Sequence, residues 1–238
     1  MKRFLSLPMF ASWFVLGVGC ASEPPPPPAE APPPPPVRHA PKLHMQSELG
    51  QIDESQTEAT WKRLQPAIMQ CYEDGQKRLE YLGGDVKFFL RVGQDGAAKY
   101  AYLVDGTLGD RTTERCMLDL VLGASWPRPD GGEAEVQKSM GFDPPSNVRA
   151  PSEWGYDQVA AALGAHGADV AKCKAGVSGT FRATAYVQPA GTAGKVAAAG
   201  LAVPSKDAEG AVDCLIGVVK KMKMPSPGSY AAKVSFTL

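Results

Sequence analysis

The chain has 238 residues, with 25 basic and 25 acidic side chains, and is formally neutral. That balance excludes the basic excess on which nucleic-acid binding depends. Beyond residue 19 no apolar run reaches the roughly 20 residues of a membrane-spanning helix, and the remaining 219 residues (238 less 19) suit two small domains after a linker.

Lys2 and Arg3 precede an apolar stretch from Phe4 to Val18 that is interrupted by Ser6, Pro8 and Ser12. A short positive region followed by an apolar region too short to span a bilayer has the form of a secretory signal. The stretch ends in Leu16-Gly17-Val18-Gly19-Cys20, which resembles the lipobox of bacterial lipoproteins, with Gly17 where that pattern usually has Leu. The resemblance implies a signal peptide over 1–19, cleavage before Cys20, and a lipid on the Cys20 sulfur that anchors the chain to a membrane. An ordinary secretory signal that contains a cysteine is the alternative. Ser22 is not the Asp that retains enterobacterial lipoproteins at the inner membrane, which points to the outer membrane.

Residues 20–50 form the expected anchor and linker. Pro24–Pro28 and Pro32–Pro36 are separated by Ala29, Glu30 and Ala31. Such a run cannot build a helix or a sheet ladder and favours polyproline II, at about 3.1 Å per residue, so the segment could reach roughly 80 Å. The alternative is a Pro-rich ligand for an aromatic groove on a partner. His39 and His44 read as solvated side chains.

The next elements are expected in the order α-β-β-α-β, over 51–145. Trp61, Leu64, Ile68 and Cys71 have helical spacing, with Pro66 in the first turn or at a kink. Val86–Val92 and Tyr100–Val104 flank Gln94, Asp95 and Gly96, where Asp-Gly is a strong hairpin signal. A helix carrying Cys116 follows, ended by Pro127 and Pro129, and Glu135–Phe142 closes the set.

The same order is expected over 150–238. Val159, Leu163, Val170 and Cys173 mark the first helix, weakened by Gly164 and Gly167. Thr180–Val187 and Val196–Val203 form the hairpin around Pro189, Gly191 and Gly194, a helix carries Cys214, and Ala232–Leu238 is the last strand. Cys116 precedes Pro127 by 11 residues, as Cys214 precedes Pro225, and each proline has another two residues later. Apolar positions coincide at Met117 and Leu215, Leu118 and Ile216, Leu120 and Val218, and Val121 and Val219. This agreement marks an internal repeat.

Four cysteines remain besides Cys20, and an even number in an exported chain suggests disulfides. Three pairings are possible. The repeat favours Cys71 with Cys116 and Cys173 with Cys214, one bond per copy, against free buried thiols or crossed pairing. Each closed loop would stabilise its copy by up to about 4 kcal/mol in the chain-entropy model.

Cys71-Tyr72-Glu73, the Gly83-Gly84-Asp85-Val86 entry to a strand, the hairpin turn at Gln94-Asp95-Gly96, Cys116 and Trp126-Pro127-Arg128-Pro129 resemble the AgmX/PglI C-terminal domain, a cysteine-containing relative of the TonB C-terminal domain. The resemblance covers Thr57 to Phe142 and extends to Trp154–Leu238 through the repeat. Copy two lacks the Tyr-Glu pair after its first cysteine. The resemblance implies an α+β chain of two tandem TonB-C-like domains that binds or braces other envelope components in the periplasm, with motility machinery suggested by the family alone. It carries no catalytic residues to transfer, and the lipid anchor in place of an inner-membrane helix argues against energy transduction.

No hydrolase-like triad, Cys-x-x-Cys pair, phosphate loop or metal-ligand spacing is legible. His166 lies among glycines, Gly83-Gly84 and Gly131-Gly132 read as turns, and Glu133 and Glu135 as a solvated strand edge. The expectation is a non-enzymatic protein without cofactor or metal, with envelope proteins as partners. By analogy with strand addition in TonB-like domains, Val234, Phe236 and Leu238 on the last strand form the candidate partner edge. Tyr100 and Tyr102 share one sheet face, as core or as binding surface. A structural brace, or a cell-wall or small-ligand binder, is the alternative.

Overall fold

Asp53 sets the start of the first helix: its carboxylate accepts the Gln56 amide at 2.9 Å, satisfying one of the donors a helix start leaves open. In the computed structural model, which describes residues 49–238, this helix is α1 (Glu54–Arg78). The expected signal peptide, Cys20 and the Pro-rich linker up to residue 48 lie outside the described residues. Pro66 is in the interior of α1, not in its first turn, so the helix forgoes the hydrogen bond that residue would have made to the Lys62 carbonyl. The inner face of α1 buries Trp61, Ile68, Cys71 and Tyr72.

β1 (Gly84–Val92) and β2 (Ala98–Gly106) form the expected hairpin, turning at Gly96 with φ +82°, a conformation glycine adopts without strain. Val86, Phe88, Leu90 and Val92 alternate along β1 and are fully buried under the helices. Next come α2 (Arg111–Gly123), capped by Asp110, and β3 (Ala134–Phe142), which pairs antiparallel with β1. The sheet order is β2-β1-β3.

The second half begins with a strand that the sequence does not announce, β4 (Ser152–Trp154). Its first helix is broken in two, α3 (Asp157–Ala165) and α4 (Gly167–Lys174), at His166, between the two glycines that weaken this stretch. β5 (Arg182–Ala190) and β6 (Ala193–Ala202) make a hairpin with a much tighter turn than expected, because the strands run through Pro189 and Gly194. A 3-10 turn (Lys206–Ala211) leads into α5 (Val212–Lys221), then β7 (Met224–Pro225) and β8 (Ala232–Thr237). The second sheet has the order β4-β8-β5-β6-β7. Within it, β6-β5-β8 repeats the arrangement β2-β1-β3.

Disulfides join α1 to α2 through Cys71 and Cys116, with Cα atoms 5.9 Å apart, and α4 to α5 through Cys173 and Cys214, at 5.6 Å. The chain is therefore mixed α+β with two sheets and a helix-to-helix bond in each half. The halves share their cores. Tyr186, Ala198 and Ala202 of the second half pack into the first cluster, and Tyr102 of the first half packs into the second. All described residues belong to one compact unit, and none of its helices is long and apolar enough to cross a membrane.

Candidate functional site: an open sheet edge beside a locked junction

The last strand is covered over half of its length. β8 lies between β5 and β4: Ser152, Glu153 and Trp154 run parallel to it, opposite Ala232, Lys233 and Val234. Val234 is 0% and Phe236 4% exposed, so their side chains belong to the core and cannot meet a partner. Leu238 is half-buried; its amide donates to the Phe181 carbonyl at 2.9 Å, and Lys174 Nζ donates to its carbonyl oxygen at 2.7 Å. Of the expected partner edge at Val234, Phe236 and Leu238, a strand that precedes α3 covers half of the length, and its apolar face points inward.

The first sheet differs. Its β2 side meets the second half, where the Val203 amide donates to the Leu103 carbonyl at 2.8 Å. Its β3 side is open among the described residues. At the start of β3 the Gly50 amide donates to the Glu133 carbonyl at 2.7 Å, as the Ser152 amide donates to the Ala231 carbonyl at 2.9 Å. The shift of 98 residues that places Pro127 on Pro225 also places Glu133 on Ala231, so the two contacts are equivalent. The paths then part. Ser152 continues along β8, whereas Gln51 turns away and exchanges two backbone hydrogen bonds with Asp130, at 2.9 and 2.8 Å, and Asp53 begins α1. Among the described residues no strand lies along the outer side of Ala134–Phe142. The alternation of an antiparallel ladder turns the backbone groups of Glu135, Gln137, Ser139 and Gly141 outward, in phase with the Glu133 carbonyl.

Beside this edge, α1 and β3 enclose a groove of about 370 Å³. Its apolar lining includes Trp61, Ile68, Met69, Met140 and Phe142, and Met69 is 37% exposed. Charged side chains stand at the rim. Lys138 bonds Glu58 at 2.7 Å, and Lys62 adds a second positive charge. Trp61 Nε1 is the one buried side-chain polar atom among the described residues without a hydrogen-bond partner.

The junction between the halves is rich in polar contacts. Tyr186 of β5 donates to the Gly83 carbonyl at 2.7 Å and accepts from the Gly83 amide at 3.1 Å, and Lys233 donates to the same carbonyl at 2.8 Å. Burial pushes the Tyr186 phenol up and the Lys233 ammonium down from their ordinary values. Arg111 is held by Glu209 and Asp213 at 3.1 and 2.9 Å, and Arg182 meets Asp105 at 2.6 Å. Glu114, in the first turn of α2, is 3% exposed. Its carboxyl accepts the Gly109 amide at 3.1 Å and, across the junction, the Leu201 amide at 3.2 Å. Burial raises its pKa to about 7.

Tyr100 and Tyr102 stack with Phe89, at centroid distances of 6.3 and 5.0 Å, and pack against the second core, so the shared face is largely internal. Glu133 is not simply a solvated edge: it pairs with Arg91 at 2.8 Å and with Lys99, and these contacts hold its carboxyl below the usual range. His166 meets only Asp169, at 3.1 Å. No group of three potential metal ligands occurs among the described residues. The sequence carried one unused signal for Glu114: it stands three, four and seven residues before the buried Met117, Leu118 and Val121, and so on the apolar face of its helix.

Fold and site together define an α+β protein of two sheets, each beside a helix-to-helix disulfide, in which the β3 edge flanked by the groove is open among the described residues. No protein-family model matches the chain, no curated protein matches it, and no solved structure matches it.

Proposed function

We propose that this chain is a non-enzymatic envelope lipoprotein, held through Cys20 at the outer membrane and facing the periplasm, that captures an extended segment of a partner protein along β3. In this reading the two halves are tandem TonB-C-like domains, 51–145 and 150–238, on a Pro-rich stalk. The observation that carries the proposal is the unequal treatment of equivalent edges. β4 covers half of β8, whereas β3 presents nine residues that no strand covers among the described residues, beside an apolar groove. An added strand would satisfy the outward backbone groups, and the groove would take one of its apolar side chains. The resemblance to the AgmX/PglI domain supports the same mode of contact.

The test is crosslinking in envelopes of cells that make the tagged protein, followed by mass spectrometry, with Gln137→Pro as the comparison. Proline at this outward position removes a donor from the edge and none from the β1 ladder. Partners lost with Gln137→Pro, in a chain that still unfolds at the wild-type temperature, are the expected result. Partners retained would move the contact surface elsewhere. The locked junction favours a second reading, a rigid brace within a larger assembly; retention of partners together with stoichiometric recovery of that assembly would be its signature.

A further inference from the structure

Glu114 has a position that strand capture does not use. It is a carboxyl with almost no access to water, at the place where α2 of the first half meets β6 of the second. One oxygen accepts from its own half, at Gly109, and the other from the opposite half, at Leu201. Gly200 makes that approach possible, because a Cβ there would overlap the Glu114 carboxyl. Two residues beyond Leu201, the Val203 amide makes the neighbouring bond across the junction, to the Leu103 carbonyl. Closing the halves therefore means enclosing this carboxyl, and opening them returns it to water.

The charged groups around Glu114 do not neutralise it. Arg111, one helical turn away, attracts the carboxylate, but that guanidinium is already engaged by Glu209 of the 3-10 turn and Asp213 of α5. Asp110 repels it, although Asp110 is itself bonded by Arg78 of α1 at 2.6 Å. Tyr186 of β5 feels the Glu114 charge as a further repulsion of its own ionised form. From β6 the contacts are the backbone of Gly200 and Leu201. Glu114 forms no ion pair of its own among the described residues.

We propose that Glu114 is a proton-operated latch: the neutral carboxyl lets the second half close on the first, and ionisation loosens that closure. The sign follows from linkage. Burial outweighs the opposing pull of the Leu201 and Gly109 amides and lifts the enclosed carboxyl from its ordinary 4.5 to about 7, so the closed form binds the proton more tightly than the open form. Closure is most favourable below about pH 4.5, weakens as the pH rises through the interval, and is constant above about 7.

The test is amide hydrogen exchange on the full chain, read as protection factors at Leu201 and Val203 from about pH 5.5 to 8, for wild type and Glu114→Gln. Protection in the wild type should fall about tenfold or more over this range, while remaining nearly flat in the variant. The same fall in Glu114→Gln, or no fall in the wild type, overturns the proposal. A second readout needs no variant: the Gly109 and Leu201 amide resonances should titrate together with a midpoint near 7. Their failure to do so is equally fatal to the latch, and neither readout depends on what β3 binds.

Discussion

Each half holds a hairpin, a third strand beside the first strand of that hairpin, and one helix-to-helix disulfide, yet the halves differ at the outer edge of the third strand. In the second half the segment before the first helix stays on the last strand, as Ser152–Trp154. In the first half, among the described residues, it bridges Leu49 to Glu133, donates from the Gly50 amide to the Glu133 carbonyl, and turns back to Asp130. One edge is covered over half of its length by the chain itself, and the equivalent edge is open among the described residues. Two sheets of like arrangement present like edges, and a few residues of flanking chain decide which edge remains available for contact.

The comparison can be broken first at what the halves share. Replacing Cys71 and Cys116 together by Ala should cost about 2–4 kcal/mol, and replacing Cys173 and Cys214 should cost nearly as much, because the closed loops differ little in length, with separations of 45 and 41 residues. Denaturant unfolding would show this, and a large inequality would mean that the halves do not rely equally on their bonds. Tyr186→Phe should cost about 1–3 kcal/mol, since it leaves a buried amide at Gly83 without its acceptor; the loss should appear as weaker coupling of the halves in hydrogen exchange.

The edges themselves give smaller stability effects and larger functional ones. Trp154 is half-buried against the second core, so Trp154→Ala should cost about 1–2 kcal/mol, less than a fully buried Trp. It should also raise exchange at Lys233 and Ser235 as β4 detaches. Gln137→Pro on the exposed side of β3 should change stability by less than about 1 kcal/mol while abolishing partner capture, a dissociation that thermal unfolding and pull-down read separately.

Much of the fold was legible because its signals are local. Asp95-Gly96 marks the first turn, alternate apolar residues mark β1, and the spacing from Cys116 to Pro127 and from Cys214 to Pro225 exposes the repeat. The partial cover of the last strand is not legible, because edge status is a property of neighbours. Val234, Phe236 and Leu238 have the alternation of a strand, and nothing in that alternation tells of a three-residue strand, Ser152–Trp154, arriving from about 80 residues earlier. The tight turn at Gly191 and Thr192 was missed because Pro189 reads as a strand breaker, yet β5 continues through it to Ala190. Glu114 was legible as a polar residue on an apolar helix face. Its acceptor role toward Leu201 was not, because that contact spans 87 residues and exists only once the halves meet.

Site-specific photocrosslinking in intact envelopes compares the two edges most directly, with the photoreactive residue placed at Gln137 in one chain and at Ser235 in another. The account predicts a discrete protein adduct at position 137 and none at position 235. Adducts at 235 with none at 137 would contradict it, and would return the contact surface to the strand that β4 now covers.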